Sequence, residues 1–201
     1  MKEFENLLKI ADRLLGPGGC SWDREQTLDS LVPYLLEETH ELMEAIDQRD
    51  KEKMPDELGD LFYNLIFIAK LGEKEGRFTL AESLQKIADK LIRRHPHIFA
   101  NKKVESTDDI VKNWEAIKKE EGKKSPIDGI PTTLPSLSRA QKVIHKLGKM
   151  KNFLLEKQPE QADFGHRIWE LVQEAERAGI DAESALRKVC LSYEEKIRNS
   201  K

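Results

Sequence analysis

Helical periodicity of the apolar residues runs along almost the whole 201-residue chain, and it constrains the fold more than any other feature. Apolar positions recur every three or four residues, which is the spacing of one helix face, and no segment shows the alternation of a half-buried strand. Charged residues make up 35% of the chain and aromatic residues only 6%. Such a composition is typical of helices with long polar faces, so the sequence predicts an all-α fold.

Periodic segments and their flanking residues predict eight helices. Their limits are residues 2–15, 30–49, 55–75, 79–94, 107–121, 137–147, 164–178 and 181–198. Ser30 is the predicted N-cap of the second helix, and Trp22 falls in a loop before it. Glycines and prolines cluster between the fifth and sixth helices, as in a linker. We therefore predict a main domain over 1–122, a linker over 123–136 and a smaller helical unit over 137–201.

Several classes of protein fit the sequence poorly. The formal net charge is −3, with both signs mixed along the chain, and this argues against general nucleic-acid binding. The two cysteines, Cys20 and Cys190, match no metal-ligand spacing. No segment is apolar and long enough to span a bilayer, and the N-terminus lacks the apolar core of a signal peptide. The sequence predicts a cytoplasmic protein that binds neither membranes nor nucleic acid stably.

Acidic residues gather on one arc of the second helix and on one line of the third. The second helix carries Glu37, Glu38, Glu41 and Glu44, and the third carries Glu57, Asp60 and Asn64. The third helix is apolar on almost every other side, and buried carboxylates are unfavourable unless something neutralises them. A hard divalent cation between the two helices would do so, and oxygen-only ligands favour Mg²⁺ or Mn²⁺ over zinc. Asn64 is predicted to orient a ligand or contact a nucleotide, with a helix-to-helix hydrogen bond as the alternative.

Basic and aromatic residues follow on the next helices. The fourth helix ends with Lys90, Arg93 and Arg94, of which Lys90 and Arg94 share a face. Cations are common at helix C-termini, but a fixed pair beside a divalent metal also suits a triphosphate. Trp114 and Lys118 are spaced i, i+4 on the fifth helix, which would place the ring near the base or sugar and the lysine near phosphate. Trp22 is a candidate lid or base-contact residue, and the alternative for each tryptophan is hydrophobic packing.

Four ordered motifs resemble the MazG family of all-α nucleoside triphosphate pyrophosphohydrolases. They are the Glu37-Glu38-x-x-Glu41 and Glu57-x-x-Asp60 pair, the Gly19–Thr27 stretch, the Lys90–Phe99 stretch and Trp114-Glu115-x-x-Lys118. The resemblance is dense over about residues 5–122. It implies a MazG-like helical bundle in which Glu38, Glu41, Glu57 and Asp60 bind the metal and Glu37 ligates or orients. It also implies that Lys90, Arg94, Trp114 and Lys118 contact the nucleotide, and that the protein forms a homodimer.

The end of the chain resembles a shortened second copy of this unit. Asp163-Phe164-Gly165-His166 stands where the first copy has Glu57-Leu58-Gly59-Asp60, and residues 150–163 leave no room for a second acidic helix. We therefore predict that this degenerate copy is catalytically inactive.

The predicted reaction is the hydrolysis of a nucleoside triphosphate to the monophosphate and pyrophosphate with Mg²⁺, by attack of water on the α-phosphorus. Two other classes of protein share part of this pattern. Glu37-x-x-His40 matches half of a di-iron motif, but Glu57-x-x-Asp60 lacks the second histidine. A non-enzymatic helical interaction module would keep both acidic faces in water and would not respond to Mg²⁺.

Overall fold

The computed structural model describes residues 1–100, 102–122, 127–148 and 163–199, and within these ranges every regular element is a helix. The helices are α1 Lys2–Leu15, α2 Ser21–Glu25, α3 Leu28–Gln48, α4 Lys53–Lys74, α5 Leu80–Arg94, α6 Pro96–Phe99, α7 Thr107–Glu120, α8 Ser136–Gly148, α9 Phe164–Arg177 and α10 Ala182–Asn199. The predicted all-α class is confirmed. No described helix is long and apolar enough to cross a membrane.

The chain divides into two compact units, Met1–Ile110 and Val111–Lys201. The predicted limits at 122 and 137 stay a prediction, as does the degenerate second copy. Residues 151–162, in the stretch predicted to be too short for an acidic helix, lie outside the described part of the chain.

Helix α3 begins two residues earlier than predicted. Thr27, not Ser30, is its N-cap: the Thr27 hydroxyl accepts from the Ser30 backbone N–H at 3.1 Å, and the Ser30 hydroxyl accepts from the Thr27 backbone N–H at 2.9 Å. This reciprocal pair satisfies two backbone donors at the helix start. The segment predicted as a loop around Trp22 is the five-residue helix α2.

Helices α3 and α4 pack closely against each other, and only residues 49–52 connect them. Arg49 turns the chain in a left-handed conformation with φ 56°, and the Asp50 carboxylate accepts from the backbone N–H groups of Glu52 and Lys53 to start α4. So short a connection makes the two helices antiparallel.

The core of the first unit lies between the N-terminal half of α3 and the C-terminal half of α4. Leu31, Phe67 and Leu71 are almost fully buried there. Helix α1 packs on α4 as well, and Lys70 bonds Asp12 of α1 at 2.8 Å. The N-terminal half of α4, which carries Glu57 and Asp60, therefore lies outside this core.

The apolar stripe of α5 has the spacing of a core face, but it is not buried within the described chain. Leu84, Ile87 and Leu91 are each about half exposed, although a capping box built from Thr79 and Glu82 starts the helix. Periodicity identified the apolar face correctly, but it does not say whether that face is covered by the same chain.

Candidate metal centre

Three carboxylates from α3 and α4 come together outside the apolar core. One oxygen each from Glu38, Glu41 and Glu57 lies within 4.8 Å of the other two. Helical spacing explains the arrangement: Glu38 and Glu41 are three residues apart on one face of α3, and the tight connection holds Glu57 of α4 opposite them. The structure thus brings together three of the four predicted metal ligands.

Asp60, the fourth predicted ligand, lies beside this cluster. Its charge is one cause of the raised pKa of Glu38, after partial burial of that carboxyl and before the charge of Glu41. The pKa of Glu57 is also raised, first by desolvation and then by the charges of Glu41 and Asp56. All of these causes disfavour adding further negative charge, so a cation placed among the four groups would relieve the repulsion.

The acidic cluster is more open than the sequence predicts. Asp60, Glu37 and Glu41 are exposed, and Glu38 and Glu57 are half-buried. The prediction that Glu57 and Asp60 lie on a buried helix is wrong, because α3 covers only one side of the N-terminal half of α4. Leu58 in this half is also 52% exposed. A phosphate chain can therefore reach the carboxylates.

The donor set suits a hard divalent cation. All three clustered groups are carboxylates, which bind Mg²⁺, Mn²⁺ or Ca²⁺ rather than the softer metals. His40, the histidine of the di-iron alternative, is exposed and is not a member of the cluster.

Asn64 extends the acidic line of α4 into the core. It is 8% exposed, and its Nδ2 donates to the backbone oxygen of Asp60 at 3.4 Å. Among the described residues, this bond joins two residues of α4 rather than two helices. Its amide lies one turn beyond Asp60 on the same face of the helix.

The basic residues and the Trp114/Lys118 pair that are predicted to contact the nucleotide occupy two helices. Lys90, Arg93 and Arg94 are in the last turns of α5, where His95 Nδ1 lies 2.7 Å from the Leu91 backbone oxygen. Trp114 and Lys118 lie on α7 in the second unit, and the Lys118 ammonium pairs with Glu115 at 2.9 Å. Their contact with a nucleotide stays a prediction.

Trp22 lies on α2 and has an aromatic partner that the sequence interpretation missed. Its ring meets the ring of Tyr34 on α3 edge to face, with centroids 5.7 Å apart and an interplanar angle of 81°. Gln26 fixes α2 on α3, because its amide donates to the Trp22 backbone oxygen at 3.0 Å and its oxygen accepts from the Ser30 hydroxyl at 2.7 Å. The sequence signal that marks Tyr34 is its position four residues, about one helical turn, before Glu38.

Lys53 is a second residue that the sequence interpretation missed. It lies one turn before Glu57 on α4, and its charge lowers the pKa of that carboxyl against the larger effects that raise it. The spacing i, i+4 is the signal that marks it.

Comparisons with known proteins connect this site to a family. The model of the MazG nucleotide pyrophosphohydrolase domain matches residues 26–99, which contain the whole acidic cluster. The chain is 43% identical over 148 residues to the nucleoside triphosphate pyrophosphohydrolase of Escherichia coli, a match that covers 71% of this chain and 56% of that protein. It thus spans little more than half of the E. coli relative.

Two proteins of Thermotoga maritima are similar over more of their length. The nucleoside triphosphate pyrophosphohydrolase/pyrophosphatase MazG is 35% identical over 218 residues, covering 97% of this chain and 84% of that protein. The crystal structure of a mazG-related protein superposes with a TM-score of 0.52 at 30% identity, over 57% of this chain and 98% of that chain.

Proposed function

Because the chain belongs to the MazG nucleotide pyrophosphohydrolase family, we propose that it is a Mg²⁺-dependent nucleoside triphosphate pyrophosphohydrolase. It converts an NTP or dNTP and water into the monophosphate and pyrophosphate, and its role is to clear abnormal or surplus nucleotides. The observation that carries this proposal is the set of carboxylate oxygens from Glu38, Glu41 and Glu57 that converge within 4.8 Å.

Glu38, Glu41, Glu57 and Asp60 would hold the cation. When bound, Mg²⁺ supplies positive charge that offsets both the carboxylates and the phosphate oxygens, and it lowers the pKa of water. Its fit rests on the all-oxygen donor set and on the desolvation and repulsion that raise the pKa of Glu38 and Glu57. Mn²⁺ has the same ligand preferences and is expected to substitute.

The remaining residues bind and orient the reactants. Glu37 precedes Glu38 on the exposed side of α3, and with Glu41 it orients the water that attacks the α-phosphorus. The P–O bond to the β-phosphate then breaks, and Lys90 and Arg94, with Arg93 beside them, hold the departing pyrophosphate. Asn64 and Trp22 hold the nucleoside.

The same family membership supports a homodimer. The apolar residues Leu84, Ile87 and Leu91 of α5 stay about half exposed in the first unit, and a contiguous apolar face of this kind typically meets a partner. We expect a second copy to cover it.

The degenerate copy at residues 137–201 takes no part in catalysis in this proposal. Asp163, which stands in the position of Glu57, is the N-cap of α9, and its carboxylate accepts from the His166 backbone N–H at 2.9 Å. This hydrogen bond lowers the pKa of Asp163. The carboxylate therefore caps α9 in this position instead of binding a metal ion.

Product analysis tests the proposal. The protein is incubated with each NTP and dNTP in Mg²⁺ and ¹⁸O-labelled water, and the products are separated by chromatography. We expect monophosphate that carries the label, unlabelled pyrophosphate, and no turnover in EDTA. Labelled pyrophosphate would place the attack on the β-phosphorus, and diphosphate with orthophosphate would place the cleavage between the β- and γ-phosphates; either result refutes the mechanism.

A pair of variants on α3 tests the residue assignment. Glu41→Gln should abolish turnover and leave the helical circular dichroism unchanged, because it removes a ligand oxygen without changing the side-chain shape. Glu44→Gln is the matched control, since Glu44 lies one turn further along α3, bonds Gln48 at 2.9 Å and is not a member of the cluster. Near-normal activity of Glu41→Gln, or equal loss in both variants, contradicts the assigned role.

A further inference from the structure

Trp22 and Tyr34 form an exposed aromatic corner at the start of α3. The rings are nearly perpendicular and their centroids are 5.7 Å apart, yet Trp22 is 50% and Tyr34 38% exposed. A planar ligand can stack on the exposed face of one ring and make an edge-to-face contact with the other.

The corner lies on the same face of α3 as the carboxylates. Tyr34 precedes Glu38 by four residues and Glu41 by seven, so all three share one stripe of the helix. Four residues correspond to about 6 Å along the axis, a separation that a sugar can bridge between a base and its α-phosphate. The aromatic corner is therefore one helical turn from the acidic cluster.

The antiparallel packing of α3 and α4 places the corner at a definite end of the site. Leu31, one turn before Tyr34, packs against Phe67 and Leu71 in the C-terminal half of α4. Asn64 lies on this same side of the acidic cluster, one turn after Asp60. Helix α2 lies at this end as well, because Trp22 on α2 contacts Tyr34 on α3.

The opposite end of the site is basic. On α4, Lys53, Glu57, Asp60 and Asn64 follow one another at i, i+4, i+7 and i+11, which places them on one line. The Lys53 ammonium group therefore lies at the connection between α3 and α4, and the carboxylates lie in the middle. The Asn64 amide and the two aromatic rings lie at the α2 end. This order matches the order of groups in a nucleoside triphosphate, from terminal phosphates through the α-phosphate to the base.

We propose that Tyr34 forms the nucleobase subsite together with Trp22, so that the base lies at the α2 end and the terminal phosphates point toward Lys53. This inference rests on the proposed pyrophosphohydrolase function and names the part of the site that holds the base. Stacking accepts any base, because every base has a π-face, so Tyr34 contributes affinity for bases in general.

Tyr34→Leu tests the subsite, because leucine keeps apolar bulk and removes the ring. We expect the KM for each NTP to rise about 10-fold, the order expected for loss of one stacking partner, while Tyr34→Phe retains the wild-type value. The KM for ribose 5-triphosphate, which lacks the base, should not change. An equal rise in the KM for NTPs and for ribose 5-triphosphate would show that Tyr34 supports the fold or contacts the phosphates. That result would overturn the proposal.

Phe62→Leu provides the matched control. Phe62 is 44% exposed and forms a similar edge-to-face pair with Phe4, with centroids 6.0 Å apart at 82°. It lies two residues after Asp60, on the opposite side of α4 from the acidic line. We expect the KM for NTPs to stay at the wild-type value in this variant; a 10-fold rise here as well would show that losing any exposed ring weakens binding.

Tryptophan fluorescence measures the subsite without turnover. In Mg²⁺, α,β-methylene ATP should quench part of the emission, and Trp22→Phe and Tyr34→Leu should each remove that quenching or shift it to about 10-fold higher ligand concentration. Wild-type quenching in both variants would overturn the subsite even if the enzyme is active. If the protein binds the analogue at the corner but hydrolyses no triphosphate, the proposed reaction fails while the subsite stands.

Discussion

Replacing Asn64 with leucine is expected to stabilise the protein and to weaken its binding of substrate. Asn64 is 8% exposed, and its bond to the Asp60 backbone oxygen is 3.4 Å long, beyond the usual range for an N–H···O bond. A buried amide without a good partner costs about 1–3 kcal/mol, and leucine has a higher helix propensity by about 0.4 kcal/mol. A net gain of about 1–2 kcal/mol corresponds to about 4–8 °C in Tm for a unit of this size.

Thermal unfolding in EDTA and the KM for NTPs in Mg²⁺ measure the two effects separately. Asn64→Ala is the control, because it removes the amide without adding apolar contacts, and it should raise the KM with a smaller gain in Tm or a loss. A fall in Tm for Asn64→Leu would show that the amide is well bonded in the fold. An unchanged KM would refute its place in the substrate site.

The cluster, the core and the ion pairs give further predictions. Saturating Mg²⁺ should raise the Tm of the wild type, since an ion at 100 times its Kd contributes about 2.7 kcal/mol; an equal rise in Glu41→Gln would argue against the site. The folded-state pKa of Glu38 is raised, so its contribution to metal-free stability is fully present below the unfolded value of about 4.3 and is lost as the pH rises through the folded-state pKa. Denaturant midpoints should therefore fall between pH 4 and pH 7 by more in the wild type than in Glu38→Gln, and parallel curves would contradict this cause. Leu31→Ala should lower the free energy of unfolding by about 3 kcal/mol, because Leu31 is 1% exposed; a loss below about 1 kcal/mol would mean that the core collapses onto the gap. Lys70→Met should cost about 1 kcal/mol in low salt and less in high salt, and a salt-independent loss would point to packing of the lysine stem.

The long helices and the acidic pairs could be predicted from the sequence because both depend on local spacing. The predicted limits of α1 agree with the structure, and those of α3, α4 and α5 are within two residues of it. Glu38 and Glu41 share a face on any helix, and a connection of a few residues then brings Glu57 opposite them. The N-cap was misplaced because Thr27 and Ser30 bond each other, so either hydroxyl fits the pattern of a cap.

Features that depend on which surfaces meet could not be predicted in this way. The apolar stripe of α5 has the pattern of a core helix, but periodicity does not distinguish burial by the same chain from burial by another. The partner of Trp22 was missed for a related reason: α2 has only five residues, too few to show a period, and the contact with Tyr34 depends on how Gln26 fixes α2 on α3.

The four-residue connection between α3 and α4 keeps the proposed metal ligands close together along the chain, within residues 38–60. Closing so short a loop takes little conformational entropy, and contacts between sequence neighbours form early in folding. The helix pair can therefore align its carboxylates before the rest of the chain has folded, and their mutual repulsion then opposes further compaction. With the proposed cation bound at that stage, Mg²⁺ is expected to speed refolding of the first unit as well as to slow its unfolding.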